Sequence, residues 1–260
     1  MNSLQQSTSQ STTSPAPIIL IMAGGLGKRM NSTLPKVLHC VNQKPMLIRC
    51  IEAAAQLKPE FIVIVTPKSD FLIKRCLMSY LPSSILNCCV YIPQLEALGT
   101  GHAVLAAENF LSTKLSNVLI MPADVPLISS AMLKDMWNSH LNSSLSATIL
   151  TTWLHEPTGN GRIILDKMNT FIKIQEEKDC SPEQKLIQLV NAGLYVFKID
   201  VLYMHLKQIK NTNAQREYYL TDVFELMISN GLQINTIFSK SSKTLINVNS
   251  PKDLKLAESI

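Results

Sequence analysis

The stretch APIILIMAGGLGKRM, residues 16–30, joins a nearly continuous apolar run to a glycine-rich loop and two cations. An unbroken apolar run of this length is typical of a strand that is buried on both faces of a sheet. Gly24, Gly25 and Gly27 follow, in a chain that has only nine glycines among 260 residues. Glycine is required where the backbone must approach another group closely or take a positive φ. The stretch therefore predicts a strand followed by a loop whose backbone lies close to a ligand.

The loop fits neither of the two common glycine-rich phosphate motifs. The dinucleotide pattern GxGxxG requires a glycine where Met30 stands, and the Walker A pattern requires glycine at Met22 and Ser or Thr at Arg29. What remains is a set of backbone N–H donors flanked by Lys28 and Arg29, which suits a polyphosphate. A tight turn whose cations face solvent is the structural alternative.

Apolar strand runs alternate with amphipathic helix patterns through the first half of the chain. This alternation predicts an α/β fold with a mostly parallel sheet that is covered by helices on both faces. The expected strands are PIILIMA (17–23), FIVIVT (61–66), CCVYI (88–92) and NVLIM (117–121), with helices at 46–57, 68–80 and 101–111 between them.

After Glu156 the pattern changes to shorter alternating runs. GRIIL and TFIKIQE predict strands of a small mixed or antiparallel insertion, and LVNAGLYVF (189–197) predicts a strand that rejoins the main sheet. The domain is expected to span 17–260, after a tail (1–16) whose Ser, Thr and Gln content is typical of disorder. The remaining expected elements are helices near 130–141, 198–209 and 218–230, strands SATILTTW and LQINTIF, and a last helix from Pro251.

Composition excludes several classes of protein. The net charge of +5 is spread along the chain without a run of Lys and Arg interleaved with aromatics, so we expect no nucleic-acid-binding surface. No apolar stretch approaches the roughly 20 residues that span a bilayer, and the first residues lack the apolar core of a secretory signal. The six cysteines form no CxxC pair, so we expect reduced thiols and no zinc site. A cytoplasmic protein that contacts no membrane and binds small anionic ligands is therefore expected.

Three unusual segments fall at the ends of the expected strands. In an open α/β sheet, ligands bind at the carboxyl ends of the strands, near the point where the strand order reverses. The GGLGKR loop follows the first strand, Asp124 in MPADVPL follows the fourth, and Asn191 lies within a later strand. We therefore expect these segments to form a single site.

Each candidate side chain also has an ordinary structural explanation. Lys36 follows Pro35, which restricts the backbone and would deliver the ammonium with little loss of freedom, but it could be a plain exposed lysine. Asp124 could hold Mg²⁺, which prefers oxygen ligands and usually takes one or two from protein, or it could cap a turn. Glu176 and Asn191 could bind a ligand or satisfy a neighbouring backbone group.

Several motifs together carry a resemblance to a known family. MAGGLGKRM, followed shortly by LPKVLH, is similar to the start of sugar-phosphate nucleotidylyltransferases. From residue 17 to the end, the chain resembles the uridylyltransferase (pyrophosphorylase) domain of the bacterial bifunctional enzymes that make UDP-N-acetylglucosamine. The motifs that narrow the resemblance, in order, are EALGTGHA (96–103), ADVPL (123–127), PTGNGRI (157–163), EEKD, VNAG and NAQREYYLTD (213–222).

The resemblance implies a fold, a reaction and a set of site residues. The fold is the Rossmann-like nucleotidyltransferase fold with a small sugar-binding insertion. The reaction is Mg²⁺-dependent transfer of UMP from UTP to N-acetylglucosamine 1-phosphate, with release of pyrophosphate. The implied residues are Met22, Ala23, Gly25, Gly27, Gln94, Gly99 and Thr100 for the nucleotide; Arg29, Lys36 and Asp124 for catalysis; Asp124 and Asn249 for the metal; and Gly161, Glu176 and Asn191 for the sugar.

The chain also departs from the family's usual pattern. Ala97 stands where the family usually has Gln, Pro122-Ala123 where it has Tyr-Gly, and Lys28 and Ala192 where it has Thr. Two alternatives therefore stay open: a UTP or dTTP:glucose-1-phosphate nucleotidylyltransferase, and a catalytically silent sugar-nucleotide-binding regulator. Because the chain ends at Ile260 without a β-helical repeat pattern, we expect neither acetyltransfer nor the trimer of the bifunctional enzymes, but a monomer or small homo-oligomer.

Overall fold

The structure is a computed structural model that describes residues 16–25 and 27–260, except for the side chain of Lys28. The expected disordered tail lies outside the described residues apart from Ala16, so the boundary between tail and domain stays a prediction. Within the described part of the chain, no helix is both long enough and apolar enough to cross a membrane.

The elements follow the alternation that the sequence predicts. The strands are β1 Ile18–Met22, β2 Cys40–Val41, β3 Lys44–Pro45, β4 Phe61–Pro67, β5 Cys89–Gln94, β6 Asn117–Pro122, β7 Ala147–Trp153, β8 Arg162–Leu165, β9 Phe171–Gln175, β10 Leu189–Lys198 and β11 Ile234–Ser239. The α-helices are α1 Met46–Ala55, α2 Phe71–Tyr80, α3 Ser83–Leu86, α4 Thr100–Leu105, α5 Glu108–Leu111, α6 Ser130–Ser143, α7 Pro182–Lys185, α8 Ile199–Leu206, α9 Asp222–Ser229 and α10 Pro251–Glu258. Short 3₁₀ turns lie at Lys28–Met30, Lys36–Leu38, Glu177–Asp179 and Ser242–Leu245.

One mixed sheet with the strand order β11-β7-β10-β6-β1-β4-β5 forms the centre of the protein. Strands β5, β4, β1 and β6 are parallel neighbours, and β7 is parallel to β11. Strand β10 runs antiparallel to both β6 and β7, and the antiparallel pair β8–β9 attaches to it. The prediction of a mostly parallel α/β sheet with a small antiparallel insertion is therefore confirmed, as is the return of LVNAGLYVF to the main sheet.

The apolar run of β1 explains why helices cover both faces of the sheet. Ile19 and Ile21 pack into one apolar cluster, which includes residues of α1, whereas Ile18 and Leu20 face the opposite cluster, with residues of α4 and α8. All four side chains are fully buried, and each such burial stabilises the fold by about 1.5–3 kcal/mol. A strand with two buried faces needs no polar alternation, which is why this stretch reads as a continuous apolar run.

The strand order reverses at β1. From β1 the chain adds β4 and then β5 on one side, and it later returns to place β6 on the other. The carboxyl ends of β1 and β6 are adjacent, because Met22 pairs with Pro122. Since β10 is antiparallel to β6, its first residues reach the same edge, where Gly193 approaches Pro122.

Two predicted helices differ from the observed ones for a local reason. The pattern at 101–111 forms two short helices because the amide of Ala107 bonds the carbonyl of Val104, three residues back, and interrupts the α-helical ladder. The helix expected from 218 begins at Asp222. Its predicted start, residues 218–221, is neither helix nor strand, because the backbone amide of Tyr218 donates to Leu98 O and the carbonyl of Tyr218 accepts from Gly101 N.

Candidate active site

A cavity of about 550 Å³ lies at the carboxyl edge of the parallel strands. Most of the residues that sequence reasoning assigns to the nucleotide, the phosphates and the metal line it. These are Met22, Gly25, Gly27, Arg29, Lys36, Gln94, Gly99, Thr100, Asp124 and Asn249. Ala23 is not among the lining residues, since it is 2% exposed and its amide donates to Val65 O at 2.8 Å. Only its carbonyl remains for a ligand, and its predicted role stays a prediction.

The glycine loop lies directly against Lys36. Gly27 has a φ of +59°, and a Cβ at this position would lie 2.5 Å from the Cβ of Lys36. Any other residue here would be strained and would push the lysine away from the loop. Gly27 thus lets the loop backbone approach Lys36 closely, and both line the same cavity as the exposed Arg29.

The Lys36 ammonium joins two side chains that are far apart in sequence. Its Nζ donates to the Asp124 carboxylate and to Oδ1 of Asn249, the latter at 2.7 Å. The side chains of Lys36 and Asp124 are only 11% and 16% exposed, so this ion pair is shielded from solvent and from salt. The cluster lies where β6 ends and just before α10.

Oxygen atoms of the same two side chains fit a magnesium site. Oδ1 of Asp124 is buried and has no hydrogen-bond partner among the described residues, which leaves it free to accept a cation. Within the described ranges, no group of three His, Cys, Asp or Glu side chains could hold a metal. Asp124 and Asn249 would then supply two oxygen ligands, which is typical of Mg²⁺ sites that are completed by water and substrate phosphates. Their assignment as metal ligands stays a prediction.

The GTG and NAQREYYLTD motifs hold each other in place beside the cavity. Besides the two backbone hydrogen bonds of Tyr218, the hydroxyl of Thr100 accepts from the amide of Leu220 at 3.0 Å. Gly99 has a φ of +115°, and a Cβ there would lie 2.6 Å from the carbonyl oxygen of Tyr218. Glycine is therefore required at this position by both conformation and space.

Gln94 lies under the same loop, at the end of β5. Its Nε2 donates to Gly99 O at 3.2 Å and lies 3.2 Å from Nδ1 of His102. Its Oε1 lies beside Gly24, where a Cβ would come within 2.6 Å of it. The amide is thus held against the loop while the residue still lines the cavity.

The three predicted sugar-binding residues lie together but outside the lining of the large cavity. A Cβ at Gly161 would lie 3.6 Å from the Glu176 carboxylate, and the backbone amide of Asn191 donates to Gly161 O at 2.9 Å. Asn191 is held by its neighbours, since its side chain donates to Tyr195 at 2.6 Å and accepts from the amide of Gly193. Its polar atoms must exchange these partners, or share them, to bind a sugar.

Glu176 lines a second cavity of about 200 Å³, which is rich in carboxylates. Its Oε1 accepts from the hydroxyl of Thr221 at 2.8 Å. Burial raises the pKa of Glu176, and Asp179 and Glu217 add to this effect. The NAQREYYLTD segment borders both cavities, because Glu217 lines the first and Asn213 lines the second.

Asp222 offers a test of this acidic cluster through stability. Burial, followed by the charges of Glu176, Glu225 and Asp179, raises the pKa of Asp222 from 3.8 to about 6. The folded state therefore binds this proton more tightly than the unfolded state, so the stabilisation is present at low pH and is lost as the pH rises through about 6. We expect Asp222→Asn to raise Tm by a few degrees at about pH 7.5 and to change it little at about pH 4, as measured by thermal melts.

A matched control for Asp222→Asn is Asp200→Asn. Asp200 also lies in the first turn of a helix, α8, but it is exposed. The control variant loses a carboxylate near a helix N-terminus without relieving a buried cluster. An Asp222→Asn variant that is no more stable than wild type at the higher pH would contradict the raised pKa.

Sequence reasoning assigned no role to two polar residues of the NAQREYYLTD segment that line the large cavity. Gln215 and Glu217 both face it, and neither was assigned a function. Asn213 holds the backbone of Glu217, since its side-chain amide donates to Glu217 O and its Oδ1 accepts from Glu217 N. The motif NAQREYYLTD marked the segment, but a motif on a loop does not reveal which of its side chains point towards a distant strand edge.

The fold and the large cavity define a doubly wound α/β protein whose candidate ligand site lies at the carboxyl edge of its parallel strands. The profile of the nucleotidyl transferase family matches residues 18–242. The chain belongs to the nucleotidyl transferase family.

Curated relatives and solved structures extend this similarity. The chain is 36% identical over 245 residues to the probable UDP-N-acetylglucosamine pyrophosphorylase of Acanthamoeba polyphaga mimivirus, covering 93% of this chain and 95% of that protein. It is 35% identical over 240 residues to the bifunctional protein GlmU of Desulfotalea psychrophila, covering 92% of this chain and 69% of the relative. For the GlmU of Caldanaerobacter subterraneus subsp. tengcongensis the identity is 39%, and this chain spans about half of that relative, 51%. The crystal structure of UDP-glucose pyrophosphorylase with UDP-glucose has a TM-score of 0.76 at 18% identity, covering 94% and 97% of the two chains, a likeness that concerns the fold alone.

Proposed function

We propose that this protein is a UDP-N-acetylglucosamine pyrophosphorylase, which transfers UMP from UTP to N-acetylglucosamine 1-phosphate and releases pyrophosphate. The observation that carries the proposal is the cluster of Lys36, Asp124 and Asn249, which lies in one cavity with the glycine loop. The relatives named UDP-N-acetylglucosamine pyrophosphorylase and GlmU, at 35–39% identity, support the choice of nucleotide and sugar. A cytoplasmic location and a monomer or small homo-oligomer belong to the same proposal.

The chemistry requires positioning and charge neutralisation more than proton transfer. A sugar 1-phosphate oxygen is already an anion at neutral pH, so it can attack the α-phosphorus of UTP without a general base. Bringing two polyanions together in a shielded site costs several kcal/mol without counter-charges. Arg29 and Lys36 line the cavity and supply positive charge towards the phosphates. Bound Mg²⁺, held by Asp124 and Asn249, would neutralise charge on the phosphate oxygens.

The remaining cavity residues would hold the nucleoside. We assign the base and ribose to the backbone of Met22, Ala23, Gly25 and Gly27 and to the loop around Gly99. Gln94 and Thr100 are both fixed by hydrogen bonds to that loop or to the segment docked on it. Prearranged groups of this kind lower the entropic cost of aligning the two substrates in line.

The experiment that tests the proposal is a panel of nucleoside triphosphates against sugar 1-phosphates, with pyrophosphate release as the readout. We expect UTP with N-acetylglucosamine 1-phosphate to be preferred over UTP with glucose 1-phosphate by at least about tenfold in kcat/KM, a difference of about 1.4 kcal/mol. Equal use of glucose 1-phosphate would favour the UTP or dTTP:glucose-1-phosphate alternative. Tight sugar-nucleotide binding without turnover of any pair would favour a silent regulator.

Glu176→Ala tests the sugar side of the site. The carboxylate lies beside Gly161 and accepts a hydrogen bond from Thr221, so we propose that it also accepts from sugar hydroxyls. A hydrogen bond to a charged group contributes about 1.5–3 kcal/mol. We therefore expect the KM for N-acetylglucosamine 1-phosphate to rise more than about tenfold, with little change in the KM for UTP, in steady-state kinetics.

Glu225→Ala is a matched control for Glu176→Ala. Glu225 lines the same second cavity, but it is exposed and lies 3.7 Å from the ammonium of Lys173. The Glu225→Ala variant should keep both KM values close to those of the wild type. A Glu176→Ala defect that is confined to UTP would refute the sugar assignment.

A further inference from the structure

We propose that the Lys36 ammonium and the divalent cation compete for the same two side chains, Asp124 and Asn249, so that metal loading depends on the nucleotide. In this arrangement Lys36 holds Asp124 and Asn249 until a triphosphate offers it another anion. The inference rests on the proposed function only in taking these two residues as the metal ligands.

The first support is the position of the ammonium. Nζ donates to Oδ2 of Asp124 and to Oδ1 of Asn249. Two oxygens that converge on one nitrogen also converge on any small cation that both of them coordinate. Mg²⁺ binds oxygen at about 2.0–2.1 Å, so a metal that bridges the pair must lie close to where Nζ lies. Two cations cannot share that position, since like charges repel strongly where solvent is excluded.

The second support is that the backbones of the two ligand residues are held independently of Lys36. The backbone carbonyl of Asp124 accepts from Val248 N at 2.8 Å, which ties the end of β6 to the segment that carries Asn249. The backbone amide of Asn249 donates to the Asp253 carboxylate at 3.0 Å, next to the capping box of α10. Both residues can therefore keep their positions beside the cavity when the ammonium leaves.

The third support is that only the side chain of Lys36 is free to move. Its backbone begins the 3₁₀ turn Lys36–Leu38, whose Val37 and Leu38 are buried, and Gly27 packs against its Cβ. A lysine side chain has four rotatable bonds, which let the ammonium move from the carboxylate to a phosphate in the same cavity. Arg29 lines this cavity as well. A triphosphate that binds beside Arg29 would offer its oxygen atoms to the Lys36 ammonium in place of the Asp124 carboxylate.

A linkage between metal and nucleotide follows from this competition. Any triphosphate that recruits Lys36 increases the affinity of Asp124 and Asn249 for the metal. By reciprocity, the metal then increases the affinity for the triphosphate by the same factor. Removing the ammonium should abolish this dependence and leave the metal site available at all times.

The test measures Mn²⁺ binding to the purified protein in the absence of nucleotide and sugar, by electron paramagnetic resonance of free Mn²⁺. We expect Lys36→Met to bind Mn²⁺ at least about tenfold more tightly than wild type, and Lys36→Met combined with Asp124→Asn to lose this gain. Lys44→Met is the matched control, because Lys44 also pairs with a carboxylate, Glu52 at 2.8 Å, but does not line the large cavity. It removes the same charge and should leave the Kd for Mn²⁺ unchanged.

The outcomes separate this inference from the proposed function. Equal Mn²⁺ affinity in wild type and Lys36→Met would overturn the competition, as would an equal gain in Lys44→Met. Lys36→Gln provides the comparison if Lys36→Met does not fold, since it also removes the charge and keeps a polar end. No substrate is present in the measurement, so a wrong assignment of sugar or nucleotide would leave the result unaffected.

Discussion

Replacing Asp124 by alanine is expected to lower kcat for UMP transfer about a thousandfold while the protein stays folded. The substitution removes one of two proposed metal ligands and leaves Lys36 with Asn249 as its remaining partner in the cluster. Losing a single electrostatic stabiliser in a water-poor site typically costs 10²–10³ in rate, and the loss of the metal would add to that. The backbone bond from Val248 to the Asp124 carbonyl does not depend on the side chain, so we expect the strand end to be retained.

The measurement is pyrophosphate release at saturating substrate, together with a thermal melt. Asp70→Ala is a matched control, because Asp70 pairs with Lys74 at 2.9 Å and its side chain is 18% exposed, close to the 16% of Asp124. Asp70 does not line the large cavity, so its variant should keep wild-type turnover. Asn249→Ala should follow Asp124→Ala in direction. Turnover above about a tenth of the wild-type value in Asp124→Ala with Mg²⁺ would show that this carboxylate does not hold the metal.

The architecture could be predicted from sequence because its strands are buried on both faces. In β1 and β6 the apolar run alone predicts a buried strand, and the helices between them show the expected periodicity. Errors arose where a distant segment decides the local conformation. The start of the helix predicted from 218 is not helical because the backbone of Tyr218 bonds to Leu98 and Gly101, and no local pattern encodes a partner more than a hundred residues away.

The candidate site shows the same division. The glycine loop, Lys36 and Asp124 stand out in sequence because scarce glycines, a proline and a strand end mark them. That Lys36 donates to Asn249, 213 residues later in the chain, is a property of the assembled sheet. The placement of Glu176 in a separate acidic cavity was equally hidden, because it depends on how the β8–β9 insertion packs on α9.

Gly99→Ala is expected to have the largest effect on stability. The backbone at Gly99, with φ of +115° and ψ of 176°, lies in a region that is essentially restricted to glycine and costs other residues about 1–3 kcal/mol. The new Cβ would also lie 2.6 Å from the carbonyl oxygen and 2.8 Å from the amide nitrogen of Tyr218. Both backbone groups are already hydrogen-bonded, to Gly101 and Leu98, so neither can move without breaking a bond. We expect Tm to fall by about 10 °C and the KM for UTP to rise, because the displaced loop also carries Thr100 and the support for Gln94.

Gly231→Ala separates strain from collision in this prediction. Gly231 also has a positive φ, +78°, but a Cβ there meets no described atom within 4 Å. The free energy of unfolding of its variant should fall only by the conformational cost of a positive φ, about 1 kcal/mol. The variant should keep its KM for UTP, because Gly231 lies at the end of α9, away from the cavity lining. If the two variants melted at the same temperature, the contact between Gly99 and Tyr218 would contribute nothing. The close approach of the GTG and NAQREYYLTD motifs would then not be what fixes the nucleotide side of the cavity.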